Sequence, residues 1–277
     1  MTTATDTRPR TFDPEAFRAA YREVILGNHF FEAPDYYRWY EARYRHTIER
    51  LAALPLPRPA RILEIGGGQI ILLMGKLFGD EGVLADVSDE YTDAVTKFGH
   101  RATTCDLLHD DLPESDHGTF DLVVLCEVIE HLPVPPYTVL RKIRSWLRPG
   151  GVIFLTTPNL YRLRNAVRLL LGMRLFCPFF YPHRGQSIGH PLEYSADHLR
   201  WQLDQGGFEE SRVEITQLVN VGATPVTKLA RWAMSPLLLR RTWRDSLVAH
   251  ATRPDVEIDQ GSASGVNPAA EALLERR

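Results

Sequence analysis

Residues 126–132 carry the side chains of this sequence that are best suited to chemistry. Two carboxylates and an imidazole occur there together, as Glu127, Glu130 and His131. If the chain turns helical at Glu127, the other two follow three and four residues later, so all three side chains share one helical face. Such a cluster is costly unless a cation or hydrogen bonds satisfy it. A divalent metal would do so, and mixed Glu and His ligation suits Mn²⁺ or Fe²⁺ as well as Mg²⁺.

The elements around this run alternate between strands and helices, which predicts a mostly parallel sheet with crossover helices. The candidate strands are residues 61–65, 82–87, 101–105, 120–126, 151–157, about 208–217 and 246–252. The candidate helices are residues 69–78, 89–97, 137–147, 195–206 and about 224–240. The expected fold class is therefore α/β: a Rossmann-like, mostly parallel, seven-stranded sheet with helices on both faces. Residues 126–132 then lie at the carboxyl edge of the sheet, where α/β enzymes carry out chemistry.

A glycine-rich turn separates the first strand from the next helix. The apolar residues 61–65 run directly into Gly66, Gly67 and Gly68. Glycine suits this place because the backbone must turn sharply and lie against a ligand without a side chain in the way. A dinucleotide site of the pattern G-x-G-x-x-G requires a third glycine at position 71, which is Ile71 here. The sequence therefore disfavours an NAD-dependent dehydrogenase or epimerase.

Acidic residues follow the next two strands. Asp86 ends the second strand, where a carboxylate can accept hydrogen bonds from both hydroxyls of a ribose, and Asp106 follows the third. The fourth strand and a turn at 148–151 complete an ordered set over roughly 100 residues. This set resembles the class I S-adenosylmethionine (SAM)-dependent methyltransferases.

The resemblance implies SAM as the cofactor. Glu64, Gly66 and Gly68 would form the turn around its methionine part. Asp86 would contact the ribose, and Asp106 with Leu107 would contact the adenine. One departure is Ile70, which stands where the family pattern has its last glycine. Some members vary at that position. Because Ile70 departs from the family pattern, a protein of this fold that no longer transfers methyl groups, such as a cyclase or a regulatory partner, is an alternative.

The run from Glu127 to Leu132 is similar to the metal-binding run of the terminal-ribose 2′-O-methyltransferases of small RNAs, and a related run occurs in the ubiquinone-pathway O-methyltransferases. The RNA enzymes have a second histidine downstream, which corresponds here to His190. This resemblance implies Mg²⁺ or Mn²⁺ held by Glu127, Glu130, His131 and His190. The same run also occurs in methyltransferases without a reported metal. His131 acting as a metal-free general base and a purely structural role for Glu130 and His131 therefore stay open.

The resulting hypothesis is a SAM-dependent O-methyltransferase acting on a hydroxyl of a small molecule that is sugar-bearing, nucleoside-like or phenolic. Two adjacent hydroxyls of the acceptor would chelate the cation, which lowers the pKa of the hydroxyl to be methylated. The candidate catalytic residues are Glu130, His131 and His190, and either histidine could take the proton.

Residues 158–192 are too long for an ordinary connection and predict an inserted lid segment on the substrate side. Apolar residues recur there at helical spacing, with arginines at other positions: Leu160, Leu163, Val167, Leu170 and Leu171, with Arg162, Arg164 and Arg168. An aromatic stretch follows at 176–181. One interpretation is a lid helix that packs its leucines on the core and exposes its arginines. The other is a pocket wall for an aromatic or lipid-like, anionic acceptor.

Arginine and aromatic residues together also suit an RNA end. The formal net charge of -3 and the lack of a separate RNA-binding domain favour a small-molecule acceptor instead. The charges are unevenly distributed: residues 132–192 contain no acid, whereas residues 141–184 contain nine bases. One side of the protein is therefore expected to be basic.

The 277 residues are expected to form one main domain with a cover. Residues 1–11 are expected to be disordered, 12–60 to form an aromatic-rich helical cover and linker, 61–253 to form the SAM-binding domain, and 254–277 to form a mobile tail. The cover either packs onto the domain or acts as a lid over cofactor or substrate.

Compartment and partners follow from weaker signals. The three cysteines form no metal-like pair and suit a reducing compartment. Residues 1–10 lack the apolar stretch of a signal peptide, and Arg168 and Arg174 interrupt the most apolar region. We therefore expect a cytoplasmic protein without a membrane partner. The sequence leaves the oligomeric state open.

Overall fold

The computed structural model describes residues 7–30, 32, 34–176, 189–218 and 235–255. These residues contain a seven-stranded sheet with the order β3-β2-β1-β4-β5-β7-β6. The strands are β1 Arg61–Ile65, β2 Glu81–Asp86, β3 Arg101–Thr104, β4 Phe120–Cys126, β5 Leu147–Pro158, β6 Glu209–Thr216 and β7 Ser246–Thr252. The first five strands pair in parallel, and β7 pairs antiparallel with both β5 and β6. The predicted Rossmann-like sheet is confirmed.

Helices cover both faces of this sheet. The described α-helices are α1 Pro14–Ala20, α2 Pro34–Ala52, α3 Gln69–Phe78, α4 Thr92–Thr96, α5 Pro136–Trp146, α6 Leu163–Leu170 and α7 Ala196–Gln205. A π-helical stretch, Tyr21–Leu26, continues α1. Successive strand residues point to opposite faces, so Ile62 packs with α1, α2 and α3, whereas Leu63 packs with α5 and α7. None of the described helices is long and apolar enough to cross a membrane.

The N-terminal cover packs onto the sheet through α3. Its side chains Phe17, Ile48 and Leu51 are completely buried. Asp13 caps α1 by accepting hydrogen bonds from the backbone N–H groups of Glu15 (2.8 Å) and Ala16 (3.3 Å). Because the first turn of a helix leaves backbone N–H groups without partners, this cap explains why the helix begins here.

Two sequence expectations about the chain ends and connections need correction. Arg10, expected in a disordered N-terminus, is buried, since its guanidinium pairs with Asp80 and donates to the carbonyl of Pro57 at 2.8 Å. The helix expected near 224–240 is a short 3₁₀ turn, Ser235–Leu239, in its described part. The rest of that helix, the aromatic stretch beyond residue 176, the first six residues and the tail beyond residue 255 lie outside the described residues.

Candidate active site

The carboxyl ends of β1, β2 and β4 meet at one edge of the sheet and surround a cavity of about 440 Å³. The sheet side of its lining includes Glu64, Gly66, Asp86 and Glu127. The cover closes the other side with Glu32, Tyr36, Arg43, Tyr44 and Thr47. The cover therefore packs on the domain and also lies over the cavity, and its role as a lid over cofactor or substrate stays a prediction.

Three consecutive left-handed residues form the turn between β1 and α3. Gly66, Gly67 and Gly68 have φ angles of 82°, 84° and 83°. A β-carbon on Gly68 would lie 2.5 Å from the Cγ1 atom of Val95, which packs beneath the turn. The backbone conformation and the close packing both require glycine here. Gly68 thus supports the turn from below, whereas Gly66 faces the cavity.

We expect Gly68→Ala to lower the free energy of unfolding by roughly 2–4 kcal/mol, because a left-handed alanine is strained and its methyl group meets Val95. The matched control is Gly79→Ala. Gly79 has a φ of 72°, but no atom lies within 4 Å of the place that an alanine methyl group would take. It should therefore lose only about 1–2 kcal/mol from strain. Urea unfolding measures both, and equal losses would show that contact with Val95 contributes nothing.

Carboxylates hold this turn in place. Glu64 is buried and accepts a hydrogen bond from the backbone N–H of Ile71 at 2.8 Å. Burial raises the pKa of Glu64 to about 8, although backbone hydrogen bonds oppose that shift. Asp86 accepts hydrogen bonds from the N–H groups of Gly67 (3.2 Å) and Ser88 (3.0 Å). Two of the three acids expected near the cofactor, Glu64 and Asp86, therefore lie at the cavity, and Ile70 is accommodated by burial in α3.

Asp106 and Leu107, expected to contact the adenine, are not among the residues that line this cavity. Asp106 accepts a hydrogen bond from the backbone N–H of Leu108 at 2.8 Å, and Leu107 is buried. Leu107 lines a neighbouring cavity together with Pro133 and Val134.

Arg43 is a cavity residue that the sequence analysis missed. It is mostly buried, its guanidinium lies 4.4 Å from the ring centre of Tyr40, and it is 3.7 Å from a carboxylate oxygen of Glu127. Burial lowers its pKa, but the negative charge of Glu127 together with three neighbouring tyrosines raises it overall. The guanidinium is thus a fixed positive charge at the cavity. Its position three residues after Tyr40 on the aromatic face of α2 was the available signal.

Glu127 does not begin a helix, which corrects the expectation that it shares a helical face with Glu130 and His131. Its φ is 59°, and the following 3₁₀ turn spans Ile129–His131. The reason is a hydrogen bond to the neighbouring strand β5: the backbone N–H of Glu127 donates to the carbonyl of Thr156 at 2.9 Å. The hydroxyl of Thr156 also donates to the Glu127 carboxylate at 2.9 Å. Glu127 therefore faces Arg43 and the cavity.

Glu130, His131 and His190 come together although His190 is distant in sequence. One potential ligand atom from each lies within 4.8 Å of the others. The two imidazole rings are 4.7 Å apart, centre to centre, and nearly perpendicular. One carboxylate oxygen of Glu130 accepts a hydrogen bond from Thr157 at 2.9 Å, and the other is buried without a hydrogen-bond partner. Burial, and then the charge of Glu127, raises the pKa of Glu130 well above its usual value.

This donor set fits a divalent cation. An unsatisfied buried carboxylate oxygen is costly, and a cation between it and two imidazoles would remove that cost. Glu130, His131 and His190 supply one oxygen and two nitrogen ligands, a set that suits Mn²⁺ and that the harder Mg²⁺ accepts less readily. Glu127 lies outside the set because Thr156 and Arg43 engage its carboxylate.

A second residue that the sequence analysis missed is Glu193. Its carboxylate lies 3.6 Å from Nδ1 of His190, pairs with Arg162 and accepts a hydrogen bond from Asn165 at 2.7 Å. Burial alone would raise its pKa, but the neighbouring His190 and the charges of the nearby arginines, with the hydrogen bond from Asn165, lower it overall. A charged carboxylate behind an imidazole orients the ring for metal binding. Glu193 is the first acid after the acid-free residues 132–192, a signal that could have identified it.

Comparison with known proteins agrees with this geometry. Residues 36–211 match a family described as a methyltransferase domain. The chain is 30% identical to a ubiquinone biosynthesis O-methyltransferase of Marinobacter nauticus over 178 residues, which are 62% of each protein. It is 28% identical to a protein of the same name from Xanthomonas axonopodis over 146 residues, 49% of this chain and 59% of that protein. The chain thus spans about three fifths of the length of these relatives.

Solved structures share the fold. A methyltransferase of Haloferax volcanii, determined in complex with the Trm112 methyltransferase activator, superposes with a TM-score of 0.56 at 18% identity, covering 88% of this chain and 100% of that one. An S-adenosylmethionine-dependent methyltransferase from Mesorhizobium loti gives 0.51 at 17% identity, with 76% and 98% covered. Since the matched residues 36–211 cover more than half of the sequence and include nearly all of the cavity and the cluster of Glu130, His131 and His190, the chain belongs to the methyltransferase domain family.

Proposed function

We propose that this chain is a SAM-dependent O-methyltransferase that acts on a hydroxyl of a small molecule. One observation carries the proposal: the glycine turn, Asp86 and the cluster of Glu130, His131 and His190 all lie at the same edge of the sheet. The family and the names of the relatives support transfer of a methyl group to oxygen. When bound, SAM would supply an electrophilic methyl group, so the protein mainly has to position it.

The cavity residues are assigned to SAM as follows. Asp86 would accept hydrogen bonds from the ribose, and the backbone at Gly66 would lie against the methionine part. We further propose that Arg43 binds the methionine carboxylate. Arg43 is a mostly buried cation that lines the cavity, and carboxylates pair strongly with guanidinium groups. The adenine contacts of Asp106 and Leu107 remain a proposal from the family resemblance.

The proposed metal ligands are Glu130, His131 and His190, with Mg²⁺ or Mn²⁺ as the cation. A divalent cation there would supply Lewis acidity that lowers the pKa of an acceptor hydroxyl. Glu193 would hold His190 in the orientation required of a ligand. If no metal binds, His131 is the alternative general base, because it lies beside Glu130 at the turn that follows β4.

The acceptor class follows from the cluster. Two adjacent hydroxyls, as in a catechol or a ribose, would chelate one cation, whereas a single hydroxyl would bind it more weakly through one oxygen. The purified chain should therefore release S-adenosylhomocysteine faster with catechols or ribonucleosides than with the corresponding single-hydroxyl compounds. Mass spectrometry of the acceptor would locate the methyl group. SAM binding without release of S-adenosylhomocysteine from any acceptor would favour the alternative, a member of this fold that has lost methyl transfer.

A further inference from the structure

A chain of hydrogen bonds joins the cover to the rest of the domain beside the cavity assigned to SAM. Its centre is Glu32, which precedes α2 and lines that cavity. One carboxylate oxygen of Glu32 accepts a hydrogen bond from the hydroxyl of Tyr37 in α2, and the other accepts one from the hydroxyl of Tyr91 at 2.8 Å. The side-chain amide of Gln69, which begins α3, donates to the hydroxyl of Tyr37 at 3.1 Å. The beginning of α2 is therefore attached to the domain at two points, Gln69 and Tyr91.

The surroundings of Glu32 favour these hydrogen bonds. A carboxylate that accepts from a hydroxyl forms a stronger bond than two neutral groups do. Burial, and then the hydrogen bond to Glu32, raises the pKa of Tyr37 and that of Tyr91 above the usual value, so both hydroxyls remain donors. The ring of Phe30 packs against both tyrosines, with its centre 5.0 Å from that of Tyr37 and 6.3 Å from that of Tyr91.

The hydrogen-bonded chain lies at the end of the cavity that is assigned to the ribose. Tyr91 is near Asp86, whose negative charge contributes to its raised pKa. Gln69 and Tyr91 line the cavity, as Glu32 does. A cofactor that reached from Asp86 to Arg43 would lie between the sheet edge and the cover. The hydrogen bonds that join these two parts would therefore also enclose the cofactor.

The rest of the cover is attached more strongly. Phe17, Ile48 and Leu51 are completely buried, and the burial of several large apolar side chains stabilises more than a few hydrogen bonds do. The attachment at the beginning of α2 depends instead on Glu32 and Tyr91, which are only half-buried. This part of the cover can therefore separate from the domain at the least cost, which is typical of lids over active sites.

We propose that Glu32, Tyr37 and Tyr91 form a latch, which closes the beginning of α2 over the cofactor and opens for cofactor entry and product release. The latch rests on the proposed function, because it needs SAM in this cavity. Its hydrogen bonds join protein to protein and are assigned no contact with SAM, so the latch is equally strong with and without ligand. Such an element changes the rates of binding and release by the same factor and leaves the affinity unchanged.

Tyr91→Phe removes the hydroxyl that ties the latch to α4 and keeps the ring that packs on Phe30. It should raise both the association and the dissociation rate constant of S-adenosylhomocysteine about tenfold, as measured by surface plasmon resonance on the full chain. The dissociation constant from calorimetry should stay within about twofold of the wild-type value. Glu32→Ala removes both accepting oxygens and should accelerate binding and release at least as much. Adding Tyr91→Phe to Glu32→Ala should then have no further effect, because the hydroxyl has already lost its partner.

The matched control is Tyr21→Phe. Tyr21 is buried in the cover, and its hydroxyl donates to the backbone carbonyl of Tyr37 at 2.7 Å. This variant therefore loses a tyrosine hydrogen bond within the cover but none between the cover and the rest of the domain. Its unfolding temperature should fall, whereas both rate constants should equal those of the wild-type chain.

Three results would overturn the latch while the wild-type chain still binds S-adenosylhomocysteine. Unchanged rate constants in Tyr91→Phe and Glu32→Ala would show that these hydrogen bonds do not control entry. A weaker affinity caused by faster release alone would show that the side chains hold the ligand itself. Equal acceleration in Tyr21→Phe would show that the rates follow the general stability of the cover. A wild-type chain that bound no S-adenosylhomocysteine would instead overturn the proposed function, and the latch with it.

Discussion

Chelation with EDTA should abolish methyl transfer by this chain, and added Mg²⁺ or Mn²⁺ should restore it, whereas SAM binding should persist throughout. The reason is the buried oxygen of Glu130, which has no hydrogen-bond partner and lies beside two imidazoles. None of the three proposed ligands lines the cavity assigned to SAM. Turnover measured with and without EDTA tests the need for the metal. Calorimetric binding of S-adenosylhomocysteine under the same two conditions tests whether cofactor binding is independent of the metal.

His190→Ala is the most discriminating variant for the same site. Its ring is 4.7 Å from that of His131, although about sixty residues separate them in the chain. Removing it should lower Mn²⁺ affinity by at least about 10–100-fold, the range found when even a residue that supports a ligand is lost. The matched control is His198→Ala. His198 is half-buried and packs on Tyr194 outside the cluster, so Mn²⁺ affinity should not change.

The pH dependence of metal binding has a defined sign. The pKa of Glu130 is raised in the metal-free protein by burial and by the charge of Glu127. A cation binds the deprotonated carboxylate, so binding releases a proton, and apparent affinity should fall as the pH is lowered. Full activity in EDTA together with an inactive His131→Ala would instead establish the metal-free base. Full activity in both cases would leave Glu130 and His131 with a structural role.

Features that depend on local sequence were predicted well. The glycine turn was recognisable because only glycine adopts three left-handed conformations in succession at low cost, and Asp86 because it ends an apolar strand. The parallel order of the strands followed from their alternation with helices. These features require no knowledge of which surfaces meet in space.

Features decided by tertiary contacts could not be predicted from the same patterns. Glu127 was expected in a helix, but its backbone N–H bonds to the carbonyl of Thr156 and its φ is left-handed. One interpretation packed the leucines of α6 on the core, but the leucines that end this helix are exposed, because spacing alone cannot say which side of a helix faces the core. Glu193 decides that, because it draws Asn165 and Arg162 inward. Arg43 was hidden for a related reason: a cation on an aromatic helix face is expected at the surface.

Arg43→Gln should weaken binding of S-adenosylhomocysteine by about 1.5–3 kcal/mol, the usual range for losing hydrogen bonds between charged groups. Asp86→Ala should cause a loss of similar size, because it removes the proposed ribose contacts. The two losses differ in which part of the ligand they concern. 5′-Methylthioadenosine has the ribose and adenine but no methionine carboxylate. Its affinity should therefore fall in Asp86→Ala and stay at the wild-type value in Arg43→Gln, as measured by calorimetry.

The matched control for this comparison is Arg45→Gln, an exposed arginine two residues along the same helix, which should bind both ligands like wild type. Arg43 also faces Glu127 at 3.7 Å, so a second variant is needed to separate the two roles. If Arg43 only neutralised Glu127, the double variant Arg43→Gln with Glu127→Gln would regain wild-type affinity for S-adenosylhomocysteine. We expect no such recovery, because the carboxylate of the ligand would still lack its cation. An equal loss for both ligands in Arg43→Gln would show that Arg43 supports the cover and does not contact the methionine carboxylate.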